Sequence, residues 1–176
     1  MKIFLGADHR GFELKEKIKA WLSEWGYEYE DEGAFQHDPH DDYVDFVSKV
    51  AQKVSEDPEN NKGIVLGMSG QGEAMVANKF KGVRAAVFYG PLANQWLLYL
   101  WVGLSKSMVE SFYNKKFKEI IKLSREHNDA NILSLGASFL HERAAKFFIK
   151  LWLDTKFSNE ERHVRRIDKI KKLENG

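Results

Sequence analysis

No cysteine occurs anywhere in the chain, which excludes disulfides, thiolate metal sites and a cysteine nucleophile or base. Proline is scarce, and Pro39, Pro58 and Pro91 each fall between apolar segments, where they mark loops. Neither sign of charge dominates. A formal net charge of +1 gives no electrostatic case for nucleic acid as a partner. Long hydrophobic runs are missing too: Trp96 to Leu104 (WLLYLWVGL) is apolar almost throughout, yet its nine residues fall well short of the about 20 that span a bilayer. The opening MKIFLGADHRG has a strand-like run too short for a signal h-region, so the expectation is a cytoplasmic protein with no membrane partner. What is present, 176 residues with 43% hydrophobic and 30% charged content, is enough for one globular domain with a sizeable core.

The chain is organised around GIVLGMSGQGEAMVANK, Gly63 to Lys79. Gly63 to Leu66 predicts a buried strand, since a short continuous apolar run suits a parallel-sheet core. Gly67, Gly70 and Gly72 then predict a tight turn in which main-chain N–H groups approach an oxygen-rich ligand closely. Ser69 and Glu73 add a hydroxyl and a possible base. The glycines run G-x-x-G-x-G, the wrong offsets for a dinucleotide fingerprint. There is no Gly-Lys-Ser/Thr for a Walker loop, and Gln71 stands where a nucleophile elbow needs glycine. A plain strand-to-helix turn with a capping serine is the alternative.

Around this centre, strands and helices alternate. Lys2 to Ala7 predicts the first strand, with Asp8 and His9 at its carboxyl end, where α/β proteins bind ligands. Leu14, Ile18, Trp21, Leu22 and Trp25 predict a helix closed by Gly26, and Tyr27 to Asp31 a weak strand near a sheet edge. His37-Asp38-Pro39-His40-Asp41-Asp42 gathers five potential metal ligands, but in a proline-containing loop, where a solvated charge-rich turn is the expectation. Tyr43 to Val54 carries a helical stripe. Gly82 to Tyr89 predicts a fourth strand, Leu97 to Phe112 a buried or interface helix, and Asn131 to Leu135 a fifth strand ending at Gly136. His127 and Asn128 fall in the polar turn before that fifth strand. A helix through Ala144, Phe148, Leu151 and Trp152 follows, and a basic helix places Arg162 and Arg166 one turn apart, able to close on one phosphate together. The alternation predicts a Rossmann-like α/β/α sandwich with a five-stranded, mainly parallel sheet, in which Asp8, His9, Ser69 and Glu73 meet at one crevice.

Five motifs in order carry a family resemblance: GADHRGFELK at Gly6 to Lys15, DDY at Asp41 to Tyr43, GMSGQGE with ANK at Ala77 to Lys79, SREHNDAN at Ser124 to Asn131, and RHVRRI at Arg162 to Ile167. Together they resemble ribose-5-phosphate isomerase B, in the wider family that includes galactose-6-phosphate isomerase subunits. The likeness covers the chain except about thirty residues between Pro91 and Ile121, which reads as a helical insertion at about 92–121 in a single domain. It implies aldose–ketose interconversion of a phosphorylated sugar, most simply ribose 5-phosphate, without cofactor or metal, in a homodimer or higher assembly with shared active sites.

One branch of that family has a cysteine base at the end of the third strand, here Gly67. The other has a glutamate at the helix start, here Glu73. By the same match Asp8, His9 and Tyr43 contact substrate and Met68, Ser69, Gly70, Gln71 and Gly72 line the enediolate cradle. His127 opens the sugar ring, Asn128 contacts a substrate oxygen, and Arg162 and Arg166 hold the phosphate. Ser138 stands where the family pattern has an arginine that assists the phosphate. Three alternatives stay open: another sugar phosphate of four or six carbons, a non-catalytic sugar-phosphate binder, and a metal-dependent hydrolase using the His37 loop.

Overall fold

The computed structural model describes residues 1–90 and 106–174. Of the buried or interface helix expected from Leu97 to Phe112, residues 97–105 lie outside the described residues, and the remainder falls within the helix Lys106–Glu126. The elements run β1 (Lys2–Ala7), α1 (Phe12–Glu24), β2 (Glu28–Asp31), α2 (Tyr43–Glu56), β3 (Asn61–Gly67) and α3 (Gln71–Ala77). Then come β4 (Ala85–Phe88), α4 (Lys106–Glu126), β5 (Ile132–Gly136), α5 (Glu142–Asp154) and α6 (Glu161–Leu173). None of the described helices is long and apolar enough to cross a membrane.

The five strands form one parallel sheet in the order β2-β1-β3-β5-β4. β3 is central, and from Lys62 to Gly67 it is buried throughout, as its continuous apolar run requires. The polar strand EYED of β2 sits at an edge, where Lys2 pairs with Glu28 and Glu30. Chain direction decides which helix covers which face. Moves from β2 to β3 and from β3 to β4 run one way across the sheet, and right-handed crossovers put α2 and α3 on one face. Moves from β1 to β2 and from β4 to β5 run the other way and put α1 and α4 opposite. The two cores follow this division. Ile18, Leu22, Ile121, Phe148 and Trp152 pack with one set of strand side chains, and Val47, Val50, Ala51, Val54 and Ala77 with the other.

Register then sets the two edges. Ala7 is level with Leu66, and Gly67 with Gly136, so the segments after β1, β3 and β5 emerge together. At the amino edge, the fully buried Asn131 accepts from the Arg84 N–H and donates to the carbonyls of Pro58 and Gly82. Those contacts give the Gly82 carbonyl and the Arg84 N–H a side-chain partner in place of a strand partner, and the fourth strand starts three residues later than its sequence suggests.

Candidate active site at the carboxyl edge of the sheet

Asp8 follows β1 directly and is 7% exposed. Its Oδ1 accepts from the N–H groups of Arg10 and Gly11, which turns the chain into α1. His9 points the other way, and its backbone N–H and its Nδ1 both donate to Asp41 Oδ1, at 3.0 and 2.7 Å. α2 begins two residues beyond Asp41. Its first residue, Tyr43, has its hydroxyl against Gly72, where a Cβ would lie 2.8 Å from that oxygen.

The turn after β3 is held from below by β5. Ala137 and Ser138 donate their N–H groups to the carbonyls of Gly67 and Met68, and Ser134 Oγ donates to the Gly70 carbonyl at 2.6 Å. Gly70 has φ +74° and starts α3 in the left-handed region, with Leu135 main chain so close that a Cβ would be 2.9 Å from it. Glu73, 4% exposed, folds back over the end of β3. A Cβ at Gly67 would lie 1.4 Å from Glu73 Oε1, so the carboxyl occupies the room that a side chain at position 67 would take.

Burial pushes the pKa of Glu73 up, and the Asp8 carboxylate adds to the effect, while the N–H groups of Glu73 itself and Gly70 oppose it. Burial raises Asp8 as well. A carboxyl shifted this way is a stronger base once ionised, the property a proton-abstracting group needs. The Gly70 N–H faces the Glu73 carboxyl and lowers its pKa, and the Gln71 N–H points to Ser69 Oγ at 3.3 Å, so the turn's own donors orient both side chains. Ser69 keeps a hydroxyl proton to give.

The remaining candidates are elsewhere. His127 follows α4 at the amino edge, one β5 length away from Glu73, about 17 Å at 3.3 Å per residue. Its ring stacks on that of His163 with centroids 4.1 Å apart. His163 is 1% exposed, and burial with the neighbouring His127 and arginines holds its pKa down. Asn128, Arg162 and Arg166 are exposed at this edge, with Arg162 on Glu160 at 2.8 Å. Asp8, His9, Tyr43, Met68 to Gly72, Glu73 and Ser138 thus come together within one chain. His127, Asn128, Arg162 and Arg166 form a separate group.

Two further neighbours of the site carry no signal in the sequence pattern. Asp41 lies in the charge-rich loop, and no periodicity links it to His9, 32 residues away. Tyr89 closes the predicted fourth strand, and its hydroxyl accepts from Gln71 Nε2 at 2.5 Å, bracing the cradle from the side. Among the described residues no group of three or more His, Cys, Asp or Glu side chains is arranged to hold a metal ion.

A family model described as Ribose/Galactose Isomerase matches residues 3–95 and 116–170. Ribose-5-phosphate isomerase B of Mycolicibacterium paratuberculosis is 34% identical over 174 residues, 99% of this chain and 92% of that protein. The Escherichia coli protein of the same name is 32% identical over 98% of this chain and 96% of its own length. Among solved structures, ribose-5-phosphate isomerase B from Mycoplasma genitalium with bound ribulose-5-phosphate matches with a TM-score of 0.81 at 30% identity, covering 99% of this chain and 96% of that one.

Proposed function

Because the chain belongs to the ribose/galactose isomerase family, we propose that it is a sugar-phosphate aldose–ketose isomerase that interconverts ribose 5-phosphate and ribulose 5-phosphate, with Glu73 as the base. The observation that carries the assignment of the base is the Glu73 carboxyl lying in the space left by Gly67, buried beside Asp8 with its pKa raised. Isomerisation takes a proton from the carbon next to a carbonyl and returns it to the neighbouring carbon, and one carboxylate performs both transfers. Negative charge builds on oxygen in the enediolate. The Ser69 hydroxyl is the donor for it, and a well-placed donor of this kind is worth roughly 3–4 kcal/mol.

One chain does not complete this site. Its crevice presents the carboxylates of Asp8, Asp41 and Glu73 with the imidazole of His9, a poor reception for a phosphate dianion. Arg162 and Arg166, the pair one turn apart that suits a phosphate, are at the opposite edge, and the exposed Arg10 is the one arginine that follows Asp8 and His9 at this edge. A two-fold pair of chains, each laying its amino edge on the other's carboxyl edge, solves both problems in two identical sites. His127 of one copy then opens the sugar ring, Asn128 contacts a sugar oxygen, and Arg162 and Arg166 hold the phosphate over the other copy's Glu73.

The direct test is conversion of ribose 5-phosphate by purified protein, with and without a chelator, beside a panel of four- and six-carbon sugar phosphates. Turnover insensitive to the chelator is expected. Phosphate release that stops with the chelator would mean a metal-dependent hydrolase. A second reading, that another sugar phosphate is preferred, rests on Ser138, which is exposed on the turn that braces Met68. Ser138→Arg separates the two: it improves ribose 5-phosphate kinetics if a phosphate contact is simply missing, and impairs the preferred substrate if the pocket is rebuilt.

A further inference from the structure

The loop His37 to Asp42 is absorbed neither by the base nor by the phosphate. It is not merely solvated. Asp42 caps α2 by accepting from the Val44 N–H at 3.0 Å, and Asp41, one residue upstream, is turned toward His9. One carboxylate oxygen, Asp41 Oδ1, takes both the main-chain N–H and the ring Nδ1 of His9, so backbone and imidazole are tied to the same atom. The ring of His37, from the start of the same loop, stands nearly perpendicular to that of His9 with centroids 6.1 Å apart, and Phe12 meets His37 edge-on.

On the basis that this crevice is the isomerisation site, we propose that Asp41 is a positioning residue for His9. It holds the imidazole with its proton on Nδ1 and so fixes Nε2 as the atom presented to the sugar phosphate. An ionised carboxylate only accepts, so the nitrogen facing it must carry the hydrogen. In the neutral ring Nε2 is then an acceptor for a sugar hydroxyl, and the carboxylate orients it as carboxylates orient histidines in other sites. The second oxygen points to function over stability. The Asp41 side chain is 8% exposed and its Oδ2 is buried with no partner among the described residues, a cost to the fold that a purely structural carboxylate would avoid by pairing both oxygens.

The test combines tautomer and kinetics in the full chain. In long-range proton–nitrogen spectra, with His9 assigned from a His9→Gln sample, the wild type should show His9 protonated on Nδ1. Asp41→Ala should lose that signature, and Asp41→Asn, whose amide oxygen still accepts, should keep it. With ribose 5-phosphate as probe, Asp41→Ala should lower kcat/KM roughly tenfold or more, Asp41→Asn should recover most of that, and Asp41→Ala should cost nothing further when His9 is already Ala. A His9 that stays protonated on Nδ1 in Asp41→Ala overturns the proposal. So does an Asp41→Ala loss of equal size with and without His9. If no sugar phosphate is turned over by wild type, the isomerase assignment falls, and the tautomer spectra still decide the role of Asp41.

Discussion

Gly67 and Glu73 compete for the same space, and that competition says what a single methyl group would do. In Gly67→Ala the new Cβ meets the far end of a flexible glutamate, so the carboxyl swings away at little cost to the fold. We expect at least about a 10²-fold loss of turnover, the low end of what a positioned base contributes, with little change in Tm. Glu73→Gln should lose activity to the same degree and differ in its pH response. The folded state holds the Glu73 pKa above its ordinary value, so its contribution to stability is present at low pH and is lost as pH rises through the shifted value. Removing the ionisation should make Glu73→Gln melt at or above the wild-type temperature at neutral pH, with the gap closing as pH falls towards about 4.3. Thermal melts from acid to neutral pH check this, and a variant that melts lower throughout would contradict it.

At the scale of elements, the amino-edge cluster and α6 behave differently. Lys62, 6% exposed at the start of β3, donates to the carbonyls of Glu59 and Asn61, and burial with the nearby Arg125 charge holds its pKa down to about 8. A lysine depressed in the folded state withdraws stability while both states are charged and returns it as pH rises through that value. Lys62→Met should therefore raise Tm at pH 7, with the difference shrinking towards about pH 10. An unchanged melting profile would mean that the ammonium is well solvated. On α6, Arg162→Ala and Arg166→Ala should each raise KM for ribose 5-phosphate about tenfold or more, from charge-assisted contacts worth roughly 1.5–3 kcal/mol, and leave Tm nearly untouched because both side chains are exposed. Measured KM values equal to wild type would leave this helix face with no part in binding.

Most elements were legible because burial writes itself into the spacing of apolar residues. β1 matches its expected span, and the glycine turn after β3 holds Ser69 and Glu73 as anticipated. Strand order was not legible, since periodicity marks which residues are buried and not which strand lies beside which; β5 enters between β3 and β4. The His9–Asp41 contact was hidden for the same reason, joining two loops with no pattern in common. Periodicity also could not say which candidate residues fall at which edge of the sheet. The rule that ligands sit at the carboxyl ends of strands accounts for Asp8, His9 and Glu73, and leaves His127, Arg162 and Arg166 stranded at the amino ends unless a second copy supplies them. Mixing two disabled proteins tests that account: Glu73→Gln and the Arg162→Ala, Arg166→Ala double variant, unfolded and refolded together and assayed with ribose 5-phosphate below its KM. If each site takes its base from one chain and its arginines from the other, half the sites in mixed dimers are intact, and activity should climb to about one quarter of wild type. Activity that stays at the sum of the two separate variants would contradict a site shared between chains.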